Sequence, residues 1–133
     1  MIIVFKHLTH DNHWIDSFIS VGTNSKYIHS QINFSNGYAG SAWMEYGATL
    51  RSIENTIVYP FLFDYIDITD TDIDEQKCFK FMLSQVGKQF DMMGAIVATL
   101  FPRPVKHRDT WHCSELVFAT LVYGGLQTEP INS

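Results

Sequence analysis

From Lys26 to Phe34, Tyr27, His29, Gln31 and Asn33 fall on one face of the chain, and Ile28, Ser30, Ile32 and Phe34 fall on the other. A period of two marks a strand with two different faces. Ser35-Asn36-Gly37 follows as a hairpin signal, and the spacing predicts a return strand from about Tyr38 to Tyr46. The apolar opening, residues 1–7, predicts a first strand. Asp11-Asn12-His13 reads as a turn and Trp14 to Val21 as a short helix. Another strand is expected near Arg51, and one more from Phe61 to Ile68 after Pro60 interrupts the apolar run.

The period changes after Ile68. Thr71-Asp72-Ile73-Asp74-Glu75 opens a helix, with capping-box spacing in Asp72–Glu75 or Thr71–Asp74. Phe79, Met82, Leu83 and Val86 recur at helical spacing, and Gly87 closes the helix. Asp91 to Leu100 predicts a second, strongly apolar helix, broken by Phe101-Pro102-Arg103-Pro104. The last helix is expected from about Trp111 to Tyr123, ended by Gly124-Gly125. A strand-rich first half and a helical second half make the class α+β. With no repeat, low-complexity segment or linker, the reading is one domain over 1–125 and a tail over 126–133.

Composition narrows the function classes. The chain has 133 residues, 46% hydrophobic and 17% charged, which fits a folded domain rather than a disordered one. The net charge of −5 argues against general nucleic-acid binding. No stretch reaches the roughly 20 apolar residues that span a bilayer. No basic leader precedes the first strand, so the expected location is the cytoplasm. The 2 cysteines are too few for a disulfide scaffold.

Candidate chemistry centres on Cys113, in Trp111-His112-Cys113-Ser114-Glu115-Leu116-Val117. A thiol in the first turn of a helix sits among unpaired N–H groups at the positive end of the dipole, and both favour thiolate. The basic loop Arg103, Lys106, His107 and Arg108 precedes it and acts in the same direction. Cys78 reads as a small buried hydrophobe. A redox pair of the two thiols is a lesser option. Of the 6 histidines, His29 is the best placed base. His7, His10 and His13 straddle a strand end and a turn, which is poor metal-site spacing. His112 is adjacent to the thiol and poorly aimed at it. Asp70-x-Asp72-x-Asp74 lacks the glycine of a calcium loop and reads as a solvated helix start. Glu115 complements the dipole of its helix. No metal and no cofactor are called for.

Tyr27-Ile28-His29-Ser30-Gln31-Ile32, a hairpin, and a much later Trp111-His112-Cys113-Ser114-Glu115-Leu116-Val117 resemble the circularly permuted NlpC-type papain-like hydrolases. That group includes YiiX-like proteins and lecithin:retinol acyltransferase. Phe90-Asp91-Met92-Met93-Gly94 is similar to the step before the family's cysteine helix, and the likeness spans roughly residues 1–125. It implies an antiparallel sheet packed against helices, with a catalytic cysteine at the start of the last main helix. It implies acyl transfer through a thioester, with Cys113 as nucleophile and His29 as proton carrier. The substrates implied are peptide-type amides or lipid acyl groups, in a bacterial or phage protein.

The resemblance also implies a polar third residue on the strand after His29. Ser41 is nearest that place, with Trp43 and Glu45 following on its face, and Gln31 shares the His29 face within the same strand. Register decides between hairpins. A two-residue Asn36-Gly37 turn pairs His29 with Met44 and turns Ser41 away. A three-residue Ser35-Asn36-Gly37 loop pairs His29 with Trp43 and Gln31 with Ser41. The alternative function is a catalytically inactive binding or inhibitor module on the same fold.

Overall fold

A computed structural model describes residues 1–7, 27–57, 60–91 and 110–127. The expected helix over Trp14–Val21, the expected helix beyond Asp91 and the basic loop at 103–108 lie outside the described residues.

The N-terminal half forms β1 (Ile2–His7), β2 (Tyr27–Asn33), β3 (Tyr38–Trp43), β4 (Gly47–Ser52), a short α1 (Ile53–Thr56), a 3₁₀ turn (Pro60–Leu62) and β5 (Phe63–Asp67). The rest adds α2 (Glu75–Gln85), β6 (Gln89–Phe90), β7 (Thr110–Trp111) and α3 (Cys113–Tyr123). The five long strands form one sheet in the order β4-β3-β2-β1-β5, with every pairing antiparallel. The α+β class and the helix-covered antiparallel sheet are thus observed.

The hairpin takes the three-residue register. Phe34 N–H donates to Tyr38 O at 2.8 Å and Gly37 N–H donates to Phe34 O at 3.2 Å. Gly37 has φ +91°, the left-handed position that closes such a loop. Ile32 faces Gly40 and Asn33 faces Ala39. Continued back along β2, that register puts Gln31 opposite Ser41 and His29 opposite Trp43, whose ring centroid is 5.4 Å from the imidazole.

One face of the sheet is apolar. Ile32, Phe34, Ala42 and Ala48 join Met82 of α2 and Leu116, Val117 and Leu121 of α3 in a single buried cluster. Each large side chain in such a cluster contributes roughly 1.5–3 kcal/mol by leaving water. Cys78 is part of it: its thiol lies under Gly124 and donates to Thr120 O at 3.4 Å. Burial pushes that thiol up to about 11, with Asp74 and Glu75 adding to the rise. Cys113 stands seven residues before Thr120 on the same helix, about 10 Å along its axis. No disulfide joins the two cysteines, and that separation sets the redox pair aside.

Several boundaries differ from expectation, each for a local reason. The return strand ends at Trp43, because Met44 to Tyr46 form a turn closed by Tyr46 N–H on Trp43 O at 3.2 Å. The last sheet strand starts at Phe63, after the 3₁₀ turn that Pro60 opens. Helix α2 is capped by Asp74, whose side chain accepts from Lys77 N at 3.1 Å, so neither expected capping box forms. Leu83 and Val86 are exposed, and Cys78, Met82 and Gln85 make the buried stripe. Trp111 belongs to β7, so α3 starts two residues later than expected.

The loop register is testable at Gly37. A Cβ there meets nothing within 4 Å, so backbone conformation alone sets the cost. Gly37→Ala is expected to lose about 1–2 kcal/mol and Gly37→Asn clearly less, since asparagine tolerates the left-handed region. Urea unfolding of the two variants checks the order.

Candidate functional site

The face of the sheet opposite the apolar cluster is polar, and much of it is buried. Gln31 is 1% exposed and Ser41 0%, with Asn33 also buried. Lys6 stands opposite His29 on β1, Val4 opposite Gln31, and Arg51 opposite Ala39 on β4. The register therefore gathers His29, Gln31, Ser41, Trp43 and Arg51 on one side of the sheet.

Gln31 is held from two directions. Its Nε2 donates to Asn33 Oδ1 and to Thr56 Oγ1, both at 2.9 Å, and Thr56 Oγ1 donates onward to Ile53 O at 2.8 Å. That fixes the amide and leaves Oε1 buried with no hydrogen bond; His29 Nε2 is in the same condition. Gln31 is close enough to raise the proton affinity of the imidazole, but no bond of full geometry joins them. Ser41 is committed elsewhere, since its hydroxyl donates to Ser30 O at 2.6 Å. Glu45 is exposed in the turn after β3 and not in the strand. Of the candidates for a third residue, Gln31 is the one beside His29 with an oxygen to offer.

His29 is a neutral imidazole at physiological pH. Burial pushes it from the ordinary 6.5 down to about 3; the Lys6 ammonium adds to the fall, Gln31 opposes it, and the Arg51 guanidinium adds a further push down.

Cys113 is the first residue of α3 and is partly buried. His112 is the N-cap, with extended backbone and no side-chain bond to the first turn. Its ring is held by its neighbours instead: Nε2 lies 2.8 Å from Glu115 Oε1 and Nδ1 lies 3.2 Å from Ser114 Oγ. Both ring nitrogens of His112 are thereby engaged. Glu115 is buried, and its second oxygen has no hydrogen bond. Sequence reasoning gave Glu115 only a dipole role; its i, i+3 spacing from His112 was the signal for the pair.

The strand pair β6–β7 places the start of α3. Gly87 N–H donates to Ala48 O at 3.0 Å and Ala48 N–H to Lys88 O at 2.8 Å, which seats the chain before β6 on the edge of β4. There Gly47 meets the Lys88 carbonyl so closely that a Cβ would not fit. β7 pairs with β6 in parallel, and Cys113 follows two residues after Trp111. Gly47 is opposite Trp43, so the chain leading into β6 joins the sheet in the cross-strand row of His29. Cys113 and His29 approach the sheet from different sides. Helix α3 packs on the apolar face, and the strand alternation turns His29 to the polar one.

Among the described residues no group of three or more His, Cys, Asp or Glu side chains is arranged to hold a metal ion. No helix among them is long and apolar enough to cross a membrane. No family model matches the chain, and the search of curated proteins returned no match.

The depressed His29 titration makes a signed prediction. Between pH 6.5 and about 3 the unfolded chain binds a proton at this position that the folded chain refuses. Its contribution to stability is complete above pH 6.5 and is lost as pH falls toward 3, by up to about 1.4 kcal/mol per pH unit. Urea unfolding from pH 7 to pH 4 is expected to fall more steeply for the native chain than for His29→Gln. Equal slopes would contradict the assignment.

Proposed function

We propose that the protein is a cysteine hydrolase or acyltransferase of the permuted papain-like type, with Cys113 as nucleophile, His29 as base and Gln31 as the residue that orients the base. The observation that carries this reading is the half-buried, neutral His29 with its buried Nε2. Its Nε2 is unpartnered beside an anchored Gln31. A buried ring nitrogen without a partner costs stability, and such arrangements concentrate at reactive sites.

The chemistry follows from the protonation state. His29 is depressed rather than raised, so it is neutral at rest and is not half of a standing thiolate–imidazolium pair; in this reading it takes the proton only during the reaction. The reading requires Cys113 and His29 to meet around the end of the sheet, since they approach it from different faces; the S–H proton then passes to the imidazole as sulfur forms a bond to the substrate carbonyl carbon. The carbonyl electron pair moves to oxygen, where first-turn N–H groups of α3 are the natural donors, since the His112 side chain does not cap them. His29 returns the proton to the leaving amine or alkoxide as its bond to carbon breaks. Water or another acceptor then releases the acyl group from sulfur. Substrates of this chemistry are peptide-type amides and lipid acyl groups.

A second reading, a binding module without turnover, draws on the side of the sheet that His29 occupies, away from α3. Alkylation by iodoacetamide separates the two. The hydrolase reading expects Cys113 to react well ahead of Cys78, and His29→Ala to slow it by about 100-fold or more. With His29 neutral, the rate is expected to lack a step near pH 6.5. A Cys113 no more reactive than a free cysteine peptide, or indifferent to His29→Ala, would leave the binding module standing.

A further inference from the structure

The start of α3 holds a chain of side chains that the Cys113–His29 reading does not use. Ser114 Oγ lies 3.2 Å from His112 Nδ1, and His112 Nε2 lies 2.8 Å from Glu115 Oε1. Hydroxyl, imidazole and carboxylate are thus joined in sequence: a nucleophile, a base, and a group that holds the base.

The carboxylate decides which ring nitrogen serves the serine. An ionised carboxylate only accepts hydrogen bonds, so the short contact to Glu115 places the ring N–H on Nε2. Nδ1 of the neutral ring is then an acceptor, turned toward the serine O–H. The two ends of the chain differ in access. The Glu115 side chain is 6% exposed and that of His112 18%, whereas Ser114 is open to solvent. Glu115 gives up hydration to hold one imidazole, and its Oε2 is buried with no hydrogen bond at all. The hydroxyl at the other end is where a substrate can arrive. It also stands in the first turn, whose N–H groups precede the helix ladder: the first bond runs from Leu116 N–H to His112 O.

We propose that Ser114 is a second nucleophile, with His112 as its base and Glu115 as the residue that positions the base, and that it acts on esters. This goes beyond the Cys113–His29 reading and does not depend on it. Adjacent residues on a helix point in different directions, so the thiol and the hydroxyl address separate approaches. The Ser114 O–H proton passes to His112 Nδ1 as Oγ bonds to the ester carbonyl carbon, and the carbonyl electron pair moves to oxygen. That pair returns as the bond to the leaving alkoxide breaks, and His112 gives the alkoxide its proton. Water then attacks the acyl-serine by the same proton transfers, which releases the acid and restores Ser114. An exposed hydroxyl does not exclude water, and exclusion of water is what the harder cleavage of amides draws on. The substrate class is therefore esters with stable leaving groups.

A fluorophosphonate probe on the full chain tests this, with the adduct located by peptide mass spectrometry. Its phosphorus bonds to Ser114 Oγ as fluoride leaves. Ser114 is expected to carry the adduct and Ser114→Ala to lose it. The rate should fall about 100-fold in His112→Gln and by a smaller factor in Glu115→Gln. Nitrogen NMR of the native His112 ring at mildly alkaline pH should show a proton on Nε2 and none on Nδ1, and Glu115→Gln should mix the two tautomers. No adduct at Ser114, a rate unchanged in a folded His112→Gln, or a native ring with its proton on Nδ1 would overturn the proposal. If a variant at His112 or Glu115 does not fold, the adduct position and the native tautomer decide it. Fluorophosphonate marks Ser114 and iodoacetamide marks Cys113. A labelled Ser114 beside an inert Cys113 removes the cysteine hydrolase and keeps the serine site, and the opposite pattern does the reverse.

Discussion

The register between β2 and β3 is the constraint on which the rest depends. A strand has period two, so a slip of one residue would turn Ile32 and Phe34 away from Met82 and Leu116 and bring His29 and Gln31 into the apolar layer. Losing the burial of two such side chains forfeits several kcal/mol, more than the strain of a glycine-closed loop. The core therefore selects the register, and the Ser35-Asn36-Gly37 loop accommodates it. Glu75 then ties the loop to the start of α2, since its Oε1 accepts from Ser35 N at 2.6 Å and from Ser35 Oγ at 2.9 Å. Helix, hairpin and sheet face are set together.

That choice has a consequence on the other side of the sheet. His29, Gln31 and Ser41 are committed to one face, and burial there makes each polar atom answerable for a partner. Ser41 finds Ser30 O, and the Gln31 amide nitrogen finds Asn33 and Thr56. His29 Nε2 and Gln31 Oε1 find none, at a cost of about 1–3 kcal/mol for each unsatisfied group. Valine or leucine at these positions would remove the cost, as Val4 in the same row illustrates by being fully buried. Where local stability is given up in this way inside an otherwise consistent fold, the site is the place to look for function.

The period-two pattern made much of this legible. It was enough to place His29, Gln31 and Asn33 on one face and Ile32 and Phe34 on the other, and it reduced the hairpin to two registers. It could not choose between them, because the choice is made by Met82 and Leu116, far along the chain. The third residue was equally out of reach. Ser41 and Gln31 were equivalent as letters, and what separates them is a backbone carbonyl in one case and the Asn33–Thr56 anchorage in the other. Glu45 looked like a strand residue until the turn after Trp43 removed it. Arg51 was read only as a strand position, since stacking on Trp43 and Tyr46 depends on the β3–β4 turn and leaves no trace in spacing.

The beginning of α3 shows how short-range and long-range order meet. Periodicity starts the helix at Trp111, but Trp111 is taken by the parallel β6–β7 pair and its indole donates to Gln85 Oε1 at 3.0 Å. The helix is displaced to Cys113, which becomes its first residue. His112 has the extended backbone of an N-cap, but Ser114 and Glu115 hold its ring against its own helix, so its side chain leaves the first-turn N–H groups alone. Trp-His-Cys-Ser-Glu thus builds a helix start whose positive end is not filled by a cap. Its location comes from elsewhere: β6 can reach β4 only because residue 47 is a glycine, and Gly47 is the residue opposite Trp43. The strand pair that leads into Cys113 is therefore anchored in the same cross-strand row that holds His29.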